Sequence, residues 1–393
     1  MSITGSPFNS TWIFEPRQVT SIRFHSPGFF TKWLTDLCQD SQREDGGLGD
    51  VAPHVNIVGF GNTGWADAGV VCNWQMVQLY GDTRVVRRHY PALVRYMDYL
   101  EKTSKDFVRG TGAYGDWLRL AGPQHSEAIG TAYYFYSTRL MAELAAAIGK
   151  SDDAQKYRQQ AEKIKAAFVK NFLKDDGRIV DGKGETGQTF YALAFGLDLV
   201  PPDRHAQVAQ QFVKEIEKQD GHLATGFLGT PSVLFALEKA GQTDLAYRLV
   251  LNQTYPSWLL QVKLGSSTMW ERWDGWVEGR SGDHGGFQDP GMNSFNHYWL
   301  GCVGQWLQCS VAGIDTDGPG FARITIRPVL ASPGKGLTSA RGSYDSIRGR
   351  ITSQWSRGDG GFRLDVGIPA NTVATVYLPA KDPASVREGG QAI

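Results

Sequence analysis

From about residue 27 to residue 313, apolar side chains recur at three- and four-residue spacing. That is the signature of helices with one buried stripe. Phe29, Phe30, Trp33, Leu34, Leu37 and Cys38 set the first stripe, which ends in the loop Gln42-Arg43-Glu44-Asp45-Gly46-Gly47. Trp65 to Tyr80 predicts the next helix. Asp82 is placed to cap a third that carries Val85, Val86, Leu93, Tyr96, Met97 and Leu100, with a kink or break expected at Pro91. Thr131–Ile148 and Asp152–Phe172 read as a helix pair joined by Gly149-Lys150-Ser151. Further helices are expected at Gln188–Leu197, Asp203–Lys218, Thr230–Ala240, Thr243–Asn252 and Ser294–Ala312, about ten in all, with no strand pattern between them.

After Gly318 the period drops to two. Phe321–Arg327, Arg348–Trp355, Phe362–Ile368 and Thr372–Leu378 alternate as strands separated by Gly, Pro and Asn turns, and the tail from Lys381 is polar and expected to fray. Paired helices in such number make a solenoid or a closed α/α toroid, and no fixed-period repeat favours the solenoid. The expected class is therefore mainly α: an (α/α) toroid over residues 28–316, then a small antiparallel β-sandwich over 317–393, with the boundary near Ile314–Pro319.

Composition narrows the function. Forty basic residues balance forty acidic ones in 393, so no net field draws in nucleic acid or an anionic membrane surface. No uninterrupted apolar run reaches the ~18 residues of a membrane span, and Met1–Gln18 lacks the basic start and apolar core of a secretion signal. A cytoplasmic protein is the expectation, with oligomeric state left open. Cys38, Cys72, Cys302 and Cys309 lack CxxC spacing, which argues against zinc or a disulfide framework, and neither metal nor cofactor is expected. Twelve tryptophans are the unusual count, and they point to stacking surfaces.

The chemistry concentrates at Ser266–Trp276. Trp270, Glu271, Arg272, Trp273, Asp274 and Trp276 fall within seven residues. Indole faces stack on sugar rings, and a carboxyl beside aromatic walls is desolvated toward the range of a general acid or base. The alternative is a core corner, with Trp270 and Trp273 turned inward and Glu271–Arg272 a solvated pair. Four further loops combine Trp or His with polar groups: Gly64-Trp65-Ala66-Asp67, Tyr114-Gly115-Asp116-Trp117, Gly221-His222 and Asn293-Ser294-Phe295-Asn296-His297. Their alternative is local packing, with Asp67 and Asp116 as helix caps. The glycine-rich Gly226–Pro231 has no following lysine and no preceding strand, which excludes a phosphate cradle.

Taken in order, these segments resemble the α-L-rhamnosidase family of glycoside hydrolases. The matching runs are Gln42–Gly46 with Asp50–Pro53, Gly64–Ala68, Gly115–Leu118, Gly221–Pro231, Met269–Trp273 and Asn293–His297. The resemblance implies a six-hairpin toroid with a C-terminal β-sandwich, and inverting hydrolysis of terminal α-L-rhamnose from a glycoside or oligosaccharide. By position it implies Glu271 as general base, Trp65 and Trp117 as walls around the sugar ring, and His297 as a partner of its hydroxyls. Asp67, Asp116 and Trp273 are expected nearby. Inversion also needs a second carboxyl group about 6.5–9.5 Å from the first.

At the N-terminus the resemblance departs. Residues 1–27 diverge, and where the family carries its general acid this sequence has no carboxylate before Glu15. Glu44 and Asp45 are the substitutes to consider. The resemblance thus implies a toroid incomplete at its start and severely reduced activity on natural substrates. The other expectations are a non-catalytic rhamnose-binding fragment, or another toroid glycosidase of trehalase or glucoamylase type.

Overall fold

The computed structural model describes residues 27–55, 58–277, 286–287, 293–380 and 382–392. Segment 1–26, with Glu15, lies outside the described residues. Two compact units result, one of residues up to 76 together with 82–303, the other of 77–81 together with 304–393.

The first unit is helical. Its elements are α1 (Pro27–Thr35), α2 (Ala68–Tyr80), α3 (Thr83–Lys102), α4 (Glu127–Ala147), α5 (Ser151–Phe172), α6 (Gln188–Gly196), α7 (His205–Glu217), α8 (Thr230–Lys239), α9 (Thr243–Leu251) and α10 (Trp258–Lys263). Fifteen of the 21 residues of α4 and eight of the nine of α6 are buried, whereas α5 and α7 bury one stripe each. A helix apolar on all sides needs neighbours on all sides. Accordingly α4 packs along α5 and against α3 and α6, and α6 packs against α7 and α8. This alternation of enclosed and half-exposed helices is the double layer expected of an α/α toroid.

The chain reading needs correction at several points. Helix α2 starts at Ala68 rather than Trp65, because Asp67 and the turn before it are engaged elsewhere. Helix α3 runs unbroken through Pro91. That proline is exposed, so the carbonyl it deprives of a partner, on exposed Arg87, faces water. No helix begins at Ser294; helical turns start only at Leu300. The backbone of 294–297 is consumed by tertiary bonds instead, with Glu271 N–H donating to Ser294 O (2.8 Å) and His297 N–H to Met269 O (2.7 Å). A strand pair does interrupt the helices, β1 (Trp276–Val277) antiparallel to β2 (Gly286–Phe287). The tail, finally, carries a short hairpin, described below.

In the second unit, β3 (Ile314–Thr316), β4 (Arg323–Ile326) and β8 (Val373–Val376) form one three-stranded sheet in the order β3-β4-β8. The other sheet comprises β5 (Ser339–Ser346), β6 (Gly349–Gly358) and β7 (Gly361–Gly367). All pairings in these two sheets are antiparallel except β4 with β8, which is parallel and was not foreseen. Ile351, Ser353 and Trp355 turn inward from β6, and the Trp355 indole N–H donates to Val311 O at 2.7 Å. The hairpin β9 (Arg387–Glu388) with β10 (Gln391–Ala392) ends the chain. Among the described residues no helix is long and apolar enough to cross a membrane. None of the four cysteines forms a disulfide, and burial pushes the Cys38 thiol up to about 12.

Helix α3 also carries a pH-sensitive joint. His89 is buried between Asn73 Oδ1 (3.2 Å) and Thr35 Oγ1 (3.3 Å). Burial, with the nearby Arg88 charge, lowers its pKa from 6.5 to about 4. As pH falls below 6.5 the unfolded chain takes up this proton first, so His89 costs stability progressively between pH 6.5 and about 4. At about 1.4 kcal/mol per unit the total is about 3 kcal/mol. Buried carboxylates with raised pKa act in the opposite sense, so urea midpoints of wild type and His89→Gln should be compared across pH. The wild type is expected to lose more stability than the variant over this window.

Candidate active site

Five loops carry the side chains singled out by the sequence: 59–67 before α2, 111–125 before α4, 225–229 before α8, 266–276 after α10, and 293–299. Each loop is knotted by a particular bond set, and buried aspartates tie three of them.

Asp67 is fully enclosed and accepts from Gly64 N–H (2.8 Å), Ser137 Oγ (2.6 Å) and Tyr96 OH (3.1 Å). Burial raises its pKa against these bonds and the field of Arg109. The bond to Gly64 shapes the turn that presents Trp65. Gly64 has φ +86°, and a Cβ there would lie 2.2 Å from Leu228 Cδ2, so only glycine fits.

Asp116 plays the same part across two loops. One oxygen accepts from Leu228 N–H (2.7 Å) and Gly229 N–H (3.1 Å), the other from Gly226 N–H (2.9 Å) and Thr189 Oγ1 (2.5 Å). The loops touch backbone to backbone here: a Cβ on Gly226 would lie 2.2 Å from Trp117 O. Neither aspartate is a simple helix cap, since their bonds reach up to 113 residues along the chain.

Asp50 was not singled out for chemistry. It is buried and accepts from Asn62 N–H (3.0 Å) and Asn62 Nδ2 (2.5 Å), while Asn62 Oδ1 accepts from Ala113 N–H (2.6 Å). Burial raises its pKa as well. The three aspartates thus use their lone pairs to hold loops in register.

What the loops hold is one continuous aromatic cluster. Phe227 is its hub, lying parallel to Trp65 (centroids 6.4 Å, 13°), tilted against His297 (5.4 Å) and packed on Trp299 (4.5 Å). Trp65 continues to Tyr114 (4.7 Å), and Tyr114 to Trp117 (6.4 Å, edge-on). Trp299 continues to Trp273 (5.9 Å), whose N–H donates to Thr225 O at 3.0 Å, and Trp273 to Trp258 (5.1 Å). Trp65, Trp273 and His297 are largely buried, and Trp117 is the more open indole.

Glu271 sits against this cluster. Its Oε2 accepts from Ser294 N–H at 2.9 Å, and its own carbonyl accepts from the Trp299 indole N–H. With the backbone bonds from Glu271 to Ser294 and from His297 to Met269, this fixes Glu271 and His297 on adjoining segments. The solvated Glu271–Arg272 pair does not form: Arg272 bonds Asp274 through two nitrogens (2.8 and 2.9 Å), and Glu271 is 5% exposed. Burial raises the Glu271 pKa, opposed by the Ser294 N–H and by the Arg272 charge. A buried carboxyl held by one backbone donor is equipped to take a proton from water.

The structure therefore brings Glu271, Trp65, Trp117, Trp273 and His297 together, with Asp67 and Asp116 behind them as loop ties. Glu44 and Asp45 lie on an exposed turn, where Asp45 pairs with Arg43 and accepts from Gly47 N–H at 3.0 Å. His222 bonds Thr254 Oγ1 at 2.8 Å. Sequence reasoning missed Phe227, Tyr114 and Trp299. Phe227 lay within the glycine-rich run weighed as a phosphate cradle and matched to the family only as a segment, and its aromatic type inside that run was the available signal.

Comparison with known proteins decides the family. Residues 17–311 match the bacterial alpha-L-rhamnosidase 6 hairpin glycosidase domain, and residues 313–392 match the bacterial alpha-L-rhamnosidase C-terminal domain. The chain belongs to the bacterial α-L-rhamnosidase family. It is 41% identical over 375 residues to an alpha-L-rhamnosidase of Streptomyces avermitilis, covering 95% of this chain and 35% of that protein. A crystal structure of a rhamnosidase from that organism complexed with L-rhamnose superposes with a TM-score of 0.85 at 39% identity, covering 96% of this chain and 37% of the other. The rhamnosidase of Dictyoglumus thermophilum superposes at 0.82 with 28% identity, covering 94% and 41%. This rhamnosidase-family chain spans a little over a third of the length of the curated relatives it matches.

Proposed function

We propose that this chain forms the catalytic and C-terminal parts of a glycoside hydrolase that releases terminal α-L-rhamnose with inversion, Glu271 acting as general base. The observation that carries this reading is the Glu271 carboxyl itself. It is buried on a residue whose backbone carbonyl takes the Trp299 indole N–H, and it is oriented by the Ser294 amide and raised in pKa by its burial. An ionised carboxylate there takes a proton from water as the water attacks the anomeric carbon, while the glycosidic bond breaks with its electron pair on the leaving oxygen, which departs as the anion of an activated aryl rhamnoside or takes its proton from solvent. Membership of the family, and the rhamnose in the complex of the Streptomyces avermitilis protein, support α-L-rhamnose as the sugar.

In this reading Trp117, the more open indole, forms a wall for the ring, with Trp65 behind it, and His297 addresses hydroxyls. Trp273 backs the Glu271 loop, and Asp67 and Asp116 act by positioning Trp65, Trp117 and Phe227. A screen of nitrophenyl glycosides tests the substrate. The rhamnoside is expected to be cleaved in preference to glucosides and other pyranosides. Preferential turnover of a glucoside would favour a toroid glycosidase of another specificity.

A further inference from the structure

The more open of the two wall indoles leans on a single ring. The main chain of Trp117 is pinned, since Phe227 N–H donates to Trp117 O (2.8 Å) and Trp117 N–H to Gly115 O (3.0 Å). Its indole is half-buried, and among the described residues the one aromatic ring it meets is Tyr114 (6.4 Å, edge-on). Trp65 is placed differently: it is largely buried and has Phe227 as well as Tyr114 against it. Whatever fixes the Tyr114 ring therefore fixes the face that Trp117 offers.

The Tyr114 ring is fixed through its hydroxyl. That oxygen accepts from Gly59 N–H at 3.3 Å, on the segment before α2. It also bonds the buried Asp50 carboxyl, where it opposes, after the two Asn62 bonds, the rise that burial gives the Asp50 pKa. Burial, joined by the Asp50 charge, raises the phenol pKa against the Gly59 bond, so the proton it donates to Asp50 stays in place. The anchor is itself tied down. Asp50 N–H donates to Gly59 O (3.1 Å) and Gly61 N–H to Leu48 O (2.9 Å), while Asn62 joins Asp50 to Ala113, the residue before Tyr114. Residues 48–62 thus reach into the aromatic cluster through one phenol.

Resting on the rhamnosidase reading, we infer that Tyr114 is a positioning residue: anchored at Gly59 and Asp50, its ring sets the angle at which Trp117 meets the sugar. Stacking on the C–H face of a pyranose depends on tilt and distance, so an indole free to swing must be ordered at the moment of binding and binds less tightly. A residue with this role acts on sugar binding and leaves the proton transfer at Glu271 alone.

Steady-state kinetics of the full chain on nitrophenyl α-L-rhamnoside tests this. Tyr114→Phe removes one oxygen from a half-buried ring, and its circular dichroism should match that of the wild type. Its KM is expected to rise by about 3- to 10-fold, the worth of one hydrogen bond, with kcat within about two-fold of wild type. Tyr114→Leu, which removes the ring as well, should raise KM further. A cycle with Trp117→Ala separates positioning from a direct role. In that background Tyr114→Phe should change kcat/KM by less than about two-fold, because the indole it acts through is gone. An unchanged KM in Tyr114→Phe overturns the inference. So does a loss of kcat/KM that is the same with and without Trp117, which would mean that the hydroxyl acts on the sugar directly. Both of these outcomes leave the rhamnosidase reading standing. A wild-type chain that does not cleave the rhamnoside overturns that reading, and the inference with it.

Discussion

Replacing Glu271 by glutamine is expected to lower kcat on an aryl α-L-rhamnoside by roughly 10²–10⁴-fold, the usual worth of a positioned acid–base group. The amide keeps the size of the side chain and its acceptor for Ser294 N–H, so the fold should not change. Because water must still be deprotonated as it attacks, the loss should fall on kcat more than on KM. The pH profile carries a second signature. The base works only when ionised, so activity rises with pH through the Glu271 pKa. Burial raises that pKa, and the acidic limb should therefore lie above the ordinary carboxylate value of about 4.3. In Glu271→Gln that limb should disappear from whatever rate remains.

The second large effect is on stability. Asp116→Ala removes the acceptor of three backbone N–H groups, those of Gly226, Leu228 and Gly229, and of the Thr189 hydroxyl. Each buried donor left unsatisfied costs about 1–3 kcal/mol, so the unfolding free energy of the helical unit should fall by at least about 3 kcal/mol. Asp116→Asn should lose less, since its oxygen can keep Leu228 N–H and Gly229 N–H while its amide nitrogen opposes only Gly226 N–H and donates to the Thr189 hydroxyl. Urea titration followed by circular dichroism measures both. Activity should fall with the alanine variant even well below the unfolding transition, because Phe227 and Trp117 ride on the loops that Asp116 joins. A variant as stable as the wild type would show that water replaces the carboxylate without loss.

The fold was legible wherever one chain period dominated. Helices α3 to α9 follow their apolar stripes to within a few residues, and Asp82 caps α3 as its position suggested, accepting from Arg84 N–H at 3.0 Å. Legibility failed where tertiary bonds outbid local preference. A helix expected from Ser294 does not form there, because the backbone of Ser294 and His297 pairs with the 269–271 segment instead. Strand β5, Ser-Ala-Arg-Gly-Ser-Tyr-Asp-Ser, buries only Tyr344; Ala340 and Gly342 alternate with polar neighbours but are too small to mark a strand, and its register comes from β6. The parallel β4–β8 pairing joins residues about fifty apart and leaves no local trace.

The site shows the same division. Glu271, His297 and the tryptophans announced themselves by residue type and clustering. Their neighbours did not. Phe227 is an ordinary apolar residue in sequence, and its place as hub depends on contacts among three loops. Asp67 and Asp116 were legible as polar groups near aromatics, but only the bonds reveal that they hold loops. An aspartate before a helix has the same appearance in sequence whether it caps locally or bonds a backbone more than a hundred residues away.

The central claim is that Glu271 activates water on the face of the sugar opposite the leaving group. Proton NMR of the first product anomer, recorded during cleavage of an activated aryl α-L-rhamnoside before mutarotation, tests it most directly. The account predicts that β-L-rhamnose forms first, and that Glu271→Gln abolishes its appearance. Initial release of α-L-rhamnose, or undiminished formation of the β-anomer by Glu271→Gln, would contradict it.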